Sequence, residues 1–119
     1  VPVGEYARQA FDLMDVFFGA GFKDKVFANV VSNEDNVKQV LAKVLLGEAD
    51  AGIVYLSDVV TAPELKFIEI PTDLNVIAKY PIAPLAKSKN ADLAAKFIEY
   101  VLSTEGQTVL ARWGFTPVK

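Results

Sequence analysis

Helix-patterned stretches alternate with short apolar runs along this chain of 119 residues, and that alternation constrains its fold more than any single motif does. Ala7, Ala10, Phe11, Met14, Phe17 and Phe18 recur at helical spacing, which predicts a helix over 4–18 with one apolar face. Gly19-Ala20-Gly21 stops it, because glycine readily takes the left-handed conformation after a helix end. A strand is predicted over 26–31. The run Ser32-Asn33-Glu34-Asp35-Asn36 is a dense helix start: Ser and Asn side chains accept from free backbone N–H groups, and acidic residues favour the positive helix end. Val37, Val40, Leu41, Val44 and Leu45 then follow the i, i+3, i+4, i+7, i+8 pattern, so a second helix is expected over 34–46, closed by Gly47. Residues 51–55 (Ala-Gly-Ile-Val-Tyr) form a short apolar run of the kind a buried parallel strand shows. Ser57-Asp58 can start a single helical turn, and 65–70 reads as another strand. Residues 75–86 are extended and interrupted by Pro81 and Pro84, which suits an edge or a crossover. Two more helices follow. One starts at Asn90 with Leu93, Ala94, Phe97, Ile98, Val101 and Leu102 on its apolar side. The other runs from Ser103 to Trp113-Gly114. Strands alternating with helices imply an α/β fold, a mainly parallel sheet flanked by helices.

Composition removes several functions. Hydrophobic residues are 52% of the chain and charged residues 23%, enough apolar material for one packed core. No apolar run approaches the roughly 20 residues of a membrane-spanning helix. There is no Cys and no His, so thiol nucleophiles, disulfides, Cys or His zinc sites and His-based acid–base catalysis are excluded. No nucleophile–base pairing stands out either, and neither catalysis, a cofactor nor a bound free cation is expected. The net charge of −3, without a Lys or Arg cluster, argues against a nucleic-acid partner. Glu34 and Asp35 read as helix-start residues, while Glu48 and Asp50 read as solvated loop carboxylates. The chain opens on Val1-Pro2-Val3-Gly4 without an initiator Met, so a processed piece with any signal peptide upstream is the expectation.

In a parallel α/β sheet, ligands gather where strands end and helices begin. Helix N-termini carry unpaired N–H donors and partial positive charge, which suits anions. Two helix starts qualify, Pro2-Val3-Gly4 and 33–37, and Tyr55 ends an apolar strand at the same expected edge. Taken singly, each helix start is more often an ordinary capped helix, and Tyr55 more often a half-buried tyrosine with its hydroxyl in water.

Three stretches together say more. Val-Pro-Val-Gly-Glu-Tyr-Ala at 1–7 resembles the opening of the second lobe in periplasmic molybdate-binding proteins. Ser-Asn-Glu-Asp-Asn-Val at 32–37 and Gly-Glu-Ala-Asp-Ala-Gly-Ile-Val-Tyr at 47–55 resemble that family's next two segments, in order and at family-like spacing. Tyr-Pro-Ile-Ala at 80–83 and the run from Ser103 to Phe115 are similar to its return strand and terminal helices.

The resemblance implies a type II periplasmic-binding-protein-like lobe that binds molybdate or tungstate for the membrane subunits of an ABC importer, in the periplasm or anchored outside the membrane. It places the ligand donors of this lobe at the backbone N–H groups of Val3 and Val37 and the hydroxyl of Tyr55, with further donors from a missing N-terminal lobe. Residues 1–78 would be the second lobe; 79–119 would be the return strand and terminal helices that normally join the first. A ligand-sensing regulatory domain of the same fold, binding another small anion such as sulfate, is the alternative. Without the first lobe, the helices after 90 must fold onto their own lobe, exchange with a second copy, or recruit the missing half. Exchange through a hinge at 75–86 gives a swapped homodimer, the favoured assembly.

Overall fold

The computed structural model describes residues 2–118. Among them are six α-helices: α1 (Pro2–Phe18), α2 (Phe22–Phe27), α3 (Val37–Leu45), α4 (Leu56–Val59), α5 (Ala91–Leu102) and α6 (Thr104–Arg112). A 3-10 turn spans Thr72–Leu74. The chain divides into two compact units, Val1–Ala78 and Lys79–Lys119.

In the first unit α1 begins at Pro2, whose fixed φ is already helical and whose missing N–H would have had no acceptor. It ends before Gly19, at φ 103°, a conformation that only glycine adopts without strain. The chain turns back at once into α2. Phe11 meets Phe27 edge-on at 5.5 Å between ring centroids, Phe18 meets Phe22 at 4.9 Å, and the Arg8 guanidinium lies 5.3 Å from the Phe27 centroid. Asp15 accepts from the Lys23 backbone N–H at 2.8 Å, and Asp12 pairs with the Lys23 ammonium. Val3, Ala10 and Met14, one helical stripe of α1, are buried together with Ala62. The 3-10 turn packs on the same helix.

The second unit is a tight helical corner. Ser103 ends α5 and caps α6, its hydroxyl accepting from the Gly106 N–H at 3.2 Å and donating to the Tyr100 carbonyl at 2.6 Å. Gly106 is buried there because the Tyr100 and Val101 carbonyls occupy the space a side chain would need. Gln107 spans the corner, donating to the Val101 carbonyl at 2.8 Å and accepting from the Val118 N–H at 2.7 Å. Asn90 stands at the N-cap of α5, but its side chain makes no capping bond.

The sequence-based fold class is corrected here. The helices stand within a few residues of their expected positions, but the described residues contain no strand and no sheet. Part of the expected strand 26–31 is the end of α2, because Phe22 and Phe27 pack on α1. Residues 51–55 and 65–70, the other two expected strands, carry no helix and belong to no ladder. A strand exists only through hydrogen bonds to a neighbour. Among the described residues, the backbone bonds found outside the helices join residues three to six apart, the reach of turns. The molecule is therefore helical, not a mainly parallel α/β lobe.

The core is correspondingly thin. Ile68 is 95% exposed and Val16 86%, and Phe97 and Trp113 of the second unit also face solvent. No described helix is long and apolar enough to cross a membrane.

Candidate functional site

Val3 lies in the first turn of α1, where backbone N–H groups have no acceptor within the helix. Its side chain is buried, which fixes that turn against the unit's core. Val37 is the first residue of α3. Asn36 precedes it with extended backbone and accepts from the Gln39 N–H at 3.1 Å, while Gln39 Oε1 accepts from the Asp35 N–H at 3.2 Å. The two side chains fasten the helix start reciprocally, and the Val37 N–H is left among the first-turn donors that the helix itself cannot satisfy.

Tyr55 sits at the N-cap of the short helix α4, held by its own N–H donating to Asp58 Oδ2 at 3.0 Å. Its ring meets Tyr6, one turn after Val3, edge-on at 6.5 Å between centroids. Three residues earlier, Gly52 lies directly against α3. A Cβ there would stand 2.5 Å from Val40 Cγ1 and 3.3 Å from Val44 Cγ2. The segment 52–55 thus touches α3 at one end and α1 at the other. The contact with α1 falls one turn after Val3, and the contact with α3 falls one and two turns after Val37. Sequence reasoning placed Asp58 in a single helical turn, now α4, but missed Tyr6, Gly52 and the bond from the Tyr55 N–H to Asp58. The last was legible, because an acid three residues after an N-cap is a known helix-start pattern. The other two had no signal, since they act through contacts between elements.

The electrostatics of the α3 start centre on Lys43. Its ammonium stands 3.2 Å from Glu48 Oε2 and 3.6 Å from Glu34 Oε1, and Glu34 also accepts from the Ser32 hydroxyl. The hydrogen bond it donates to Glu48 and the charges of Glu34 and Glu48 push the Lys43 ammonium above the ordinary lysine range. Among the described residues, no group of three or more acidic side chains is arranged to hold a metal ion.

A family model described as bacterial extracellular solute-binding protein matches residues 1–116. The chain belongs to the bacterial extracellular solute-binding proteins. The chain is 36% identical over 97% of its length to the molybdate-binding protein ModA of Mycobacterium tuberculosis, and 32% identical over 98% to the molybdate-binding protein ModA of Escherichia coli. It is 31% identical over 98% to YvgL of Bacillus subtilis, named as a substrate-binding lipoprotein of an ABC transporter. It spans about two fifths of the length of these relatives, 41%, 42% and 42% respectively. No solved structure matches it. Its family is an extracellular one, and one of binding proteins rather than enzymes.

Proposed function

We propose that this solute-binding chain is the second lobe of a periplasmic or membrane-anchored protein that binds a tetrahedral oxyanion, molybdate or tungstate, and delivers it to the membrane subunits of an ABC importer. The observation that carries the reading is the 36% identity over 97% of the chain to a molybdate-binding protein, within 41% of that protein's length. In this reading the Val3 and Val37 N–H groups and the Tyr55 hydroxyl are the donors of this lobe, and a first lobe supplies the others. Residues 1–78 carry the half-site, and 79–119 return towards the first lobe; the division of the structure after Ala78 supports that boundary.

The chemistry is coherent with the donors. Molybdate and tungstate carry no proton near neutral pH, so they need donors only. A protonated anion such as phosphate would need an acceptor and is disfavoured by a site that has none. Partial positive charge at helix ends lets a chain of net charge −3 hold a dianion without a lysine or arginine in contact with it.

Calorimetric titration of the two-lobed protein with molybdate, tungstate, sulfate and phosphate tests this. Submicromolar binding of molybdate and tungstate, with phosphate silent, is the expected result. Sulfate binding more tightly than molybdate, or no oxyanion binding at all, overturns it.

A further inference from the structure

Two carboxylates, Glu34 and Asp35, lie three and two residues before Val37. Chain geometry keeps the Cα atoms of Glu34 and Val37 within about 11 Å, close to the screening length of physiological salt. A dianion held at the α3 start would therefore meet the field of Glu34. Its side chain is only 16% exposed, so solvent weakens that field less than it would at an open surface.

Lys43 is placed to cancel it. It stands on α3, nine residues after Glu34, and reaches back to that carboxylate at 3.6 Å while Glu48 holds it from the other side at 3.2 Å. Glu48 follows α3, beyond Leu46 and Gly47, and its backbone N–H donates to the Lys43 carbonyl at 2.8 Å. The ammonium is thus anchored by a residue away from the helix start, and its charge is directed to the residue beside it.

We propose that Lys43 is a positioning and charge-compensating residue for the oxyanion site: it neutralises Glu34 and holds the 32–36 segment, so that an incoming dianion at the Val37 N–H is not repelled by the Glu34 carboxylate. This rests on the oxyanion reading of the α3 start. It also accounts for an acidic helix start at an anion site. Glu34 serves the helix and the loop through Ser32, and Lys43 removes its long-range effect on the ligand.

The test is molybdate calorimetry on the two-lobed protein with four variants. Lys43→Gln weakens binding about two- to fivefold, the effect of one partly exposed ion pair at tenfold per 1.4 kcal/mol. Lys43→Arg keeps wild-type affinity. Glu34→Gln binds at least as tightly as wild type. Lys43→Gln combined with Glu34→Gln recovers the affinity that Lys43→Gln alone loses, which a merely structural role for Lys43 would not produce. If the unsubstituted protein binds molybdate and Lys43→Gln changes nothing, the inference on Lys43 fails by itself. If the double variant is as weak as Lys43→Gln, charge compensation is refuted. If the unsubstituted protein binds no oxyanion, the functional reading falls and this inference falls with it. Circular dichroism of each variant shows whether the helices persist. Should Lys43→Gln unfold, Glu34→Gln still decides: weaker binding in that variant contradicts the proposal.

Discussion

Replacing Gly52 by alanine tests whether the 52–55 segment joins α3 to the Tyr55 side of the site. The added methyl would stand 2.5 Å from Val40 Cγ1, where ordinary carbon contacts begin near 3.4 Å. Relief needs a movement of about 1 Å. Val40 cannot easily supply it, because a β-branched side chain in a helix has one strongly preferred rotamer. The segment itself must move, and Tyr55 is three residues further on. Overpacking of this kind costs about 1–3 kcal/mol, and the loss of glycine freedom in the unfolded chain returns about 0.4–1 kcal/mol. The net expectation is a destabilisation of about 1–2 kcal/mol in urea unfolding, with a parallel fall in molybdate affinity. Adding Val40→Ala to Gly52→Ala vacates the contested volume, so the double variant should show a favourable coupling of about 1 kcal/mol. A Gly52→Ala protein that is unchanged or more stable, with no coupling to Val40, would refute the packing argument and the bridge it supports.

Other outcomes follow from the same geometry. Gly106→Ala should destabilise by about 1–3 kcal/mol in urea titration despite alanine's better helix propensity, because its Cβ would overlap the Tyr100 carbonyl and stand 2.8 Å from the Val101 carbonyl oxygen, both rigid backbone; a gain in stability would contradict this. Tyr55→Phe in the two-lobed protein should weaken oxyanion binding by about 1–3 kcal/mol, the worth of a hydrogen bond to a charged group, and unchanged calorimetric affinity with intact helices removes Tyr55 from the site. The 119-residue chain alone should bind molybdate poorly and run as a dimer in light scattering coupled to size exclusion. Submicromolar binding by a monomer would overturn the half-site reading, and a monodisperse monomer at high concentration would overturn the swapped assembly.

What the sequence disclosed follows from what each element needs. The helices were legible because each carries its own instructions. Pro2 starts α1 and Gly19 ends it; Asn36 starts α3 through a bond to Gln39 three residues away; Ser103 starts α6 through Gly106. Such signals are written within one or two turns of chain. A strand carries no such instruction. The apolar run at 51–55 states a demand for burial but names no partner, and the structure meets it by laying Gly52 on α3 and Tyr55 on Tyr6. At 26–31 the β-branched residues masked a helical spacing that was present, the four-residue step from Phe22 to Val26. At the candidate site the two helix starts were legible, while Tyr55, read as a strand end, is the N-cap of α4. The ion pair beside α3 was not legible. Lys43 and Glu34 are nine residues apart, off the three- and four-residue spacings that mark neighbours on a helix, so only the folded loop brings them together.

The α1–α2 hairpin is stitched by contacts of short sequence range. Lys23 reaches Asp12 and Asp15, eleven and eight residues back, and Phe27 reaches Phe11 across sixteen. Its loops close fast compared with pairings between distant segments, so time separates the parts of this molecule. During synthesis the hairpin can assemble as soon as Phe27 is free of the ribosome, long before α5 and α6 exist. It then waits with Val16 and Phe17 facing water. An early-folding element with uncovered apolar side chains is a point of self-association for a nascent chain. Val16 and Phe17 stay exposed in the completed chain as well, so the arrival of α5 and α6 does not end that liability.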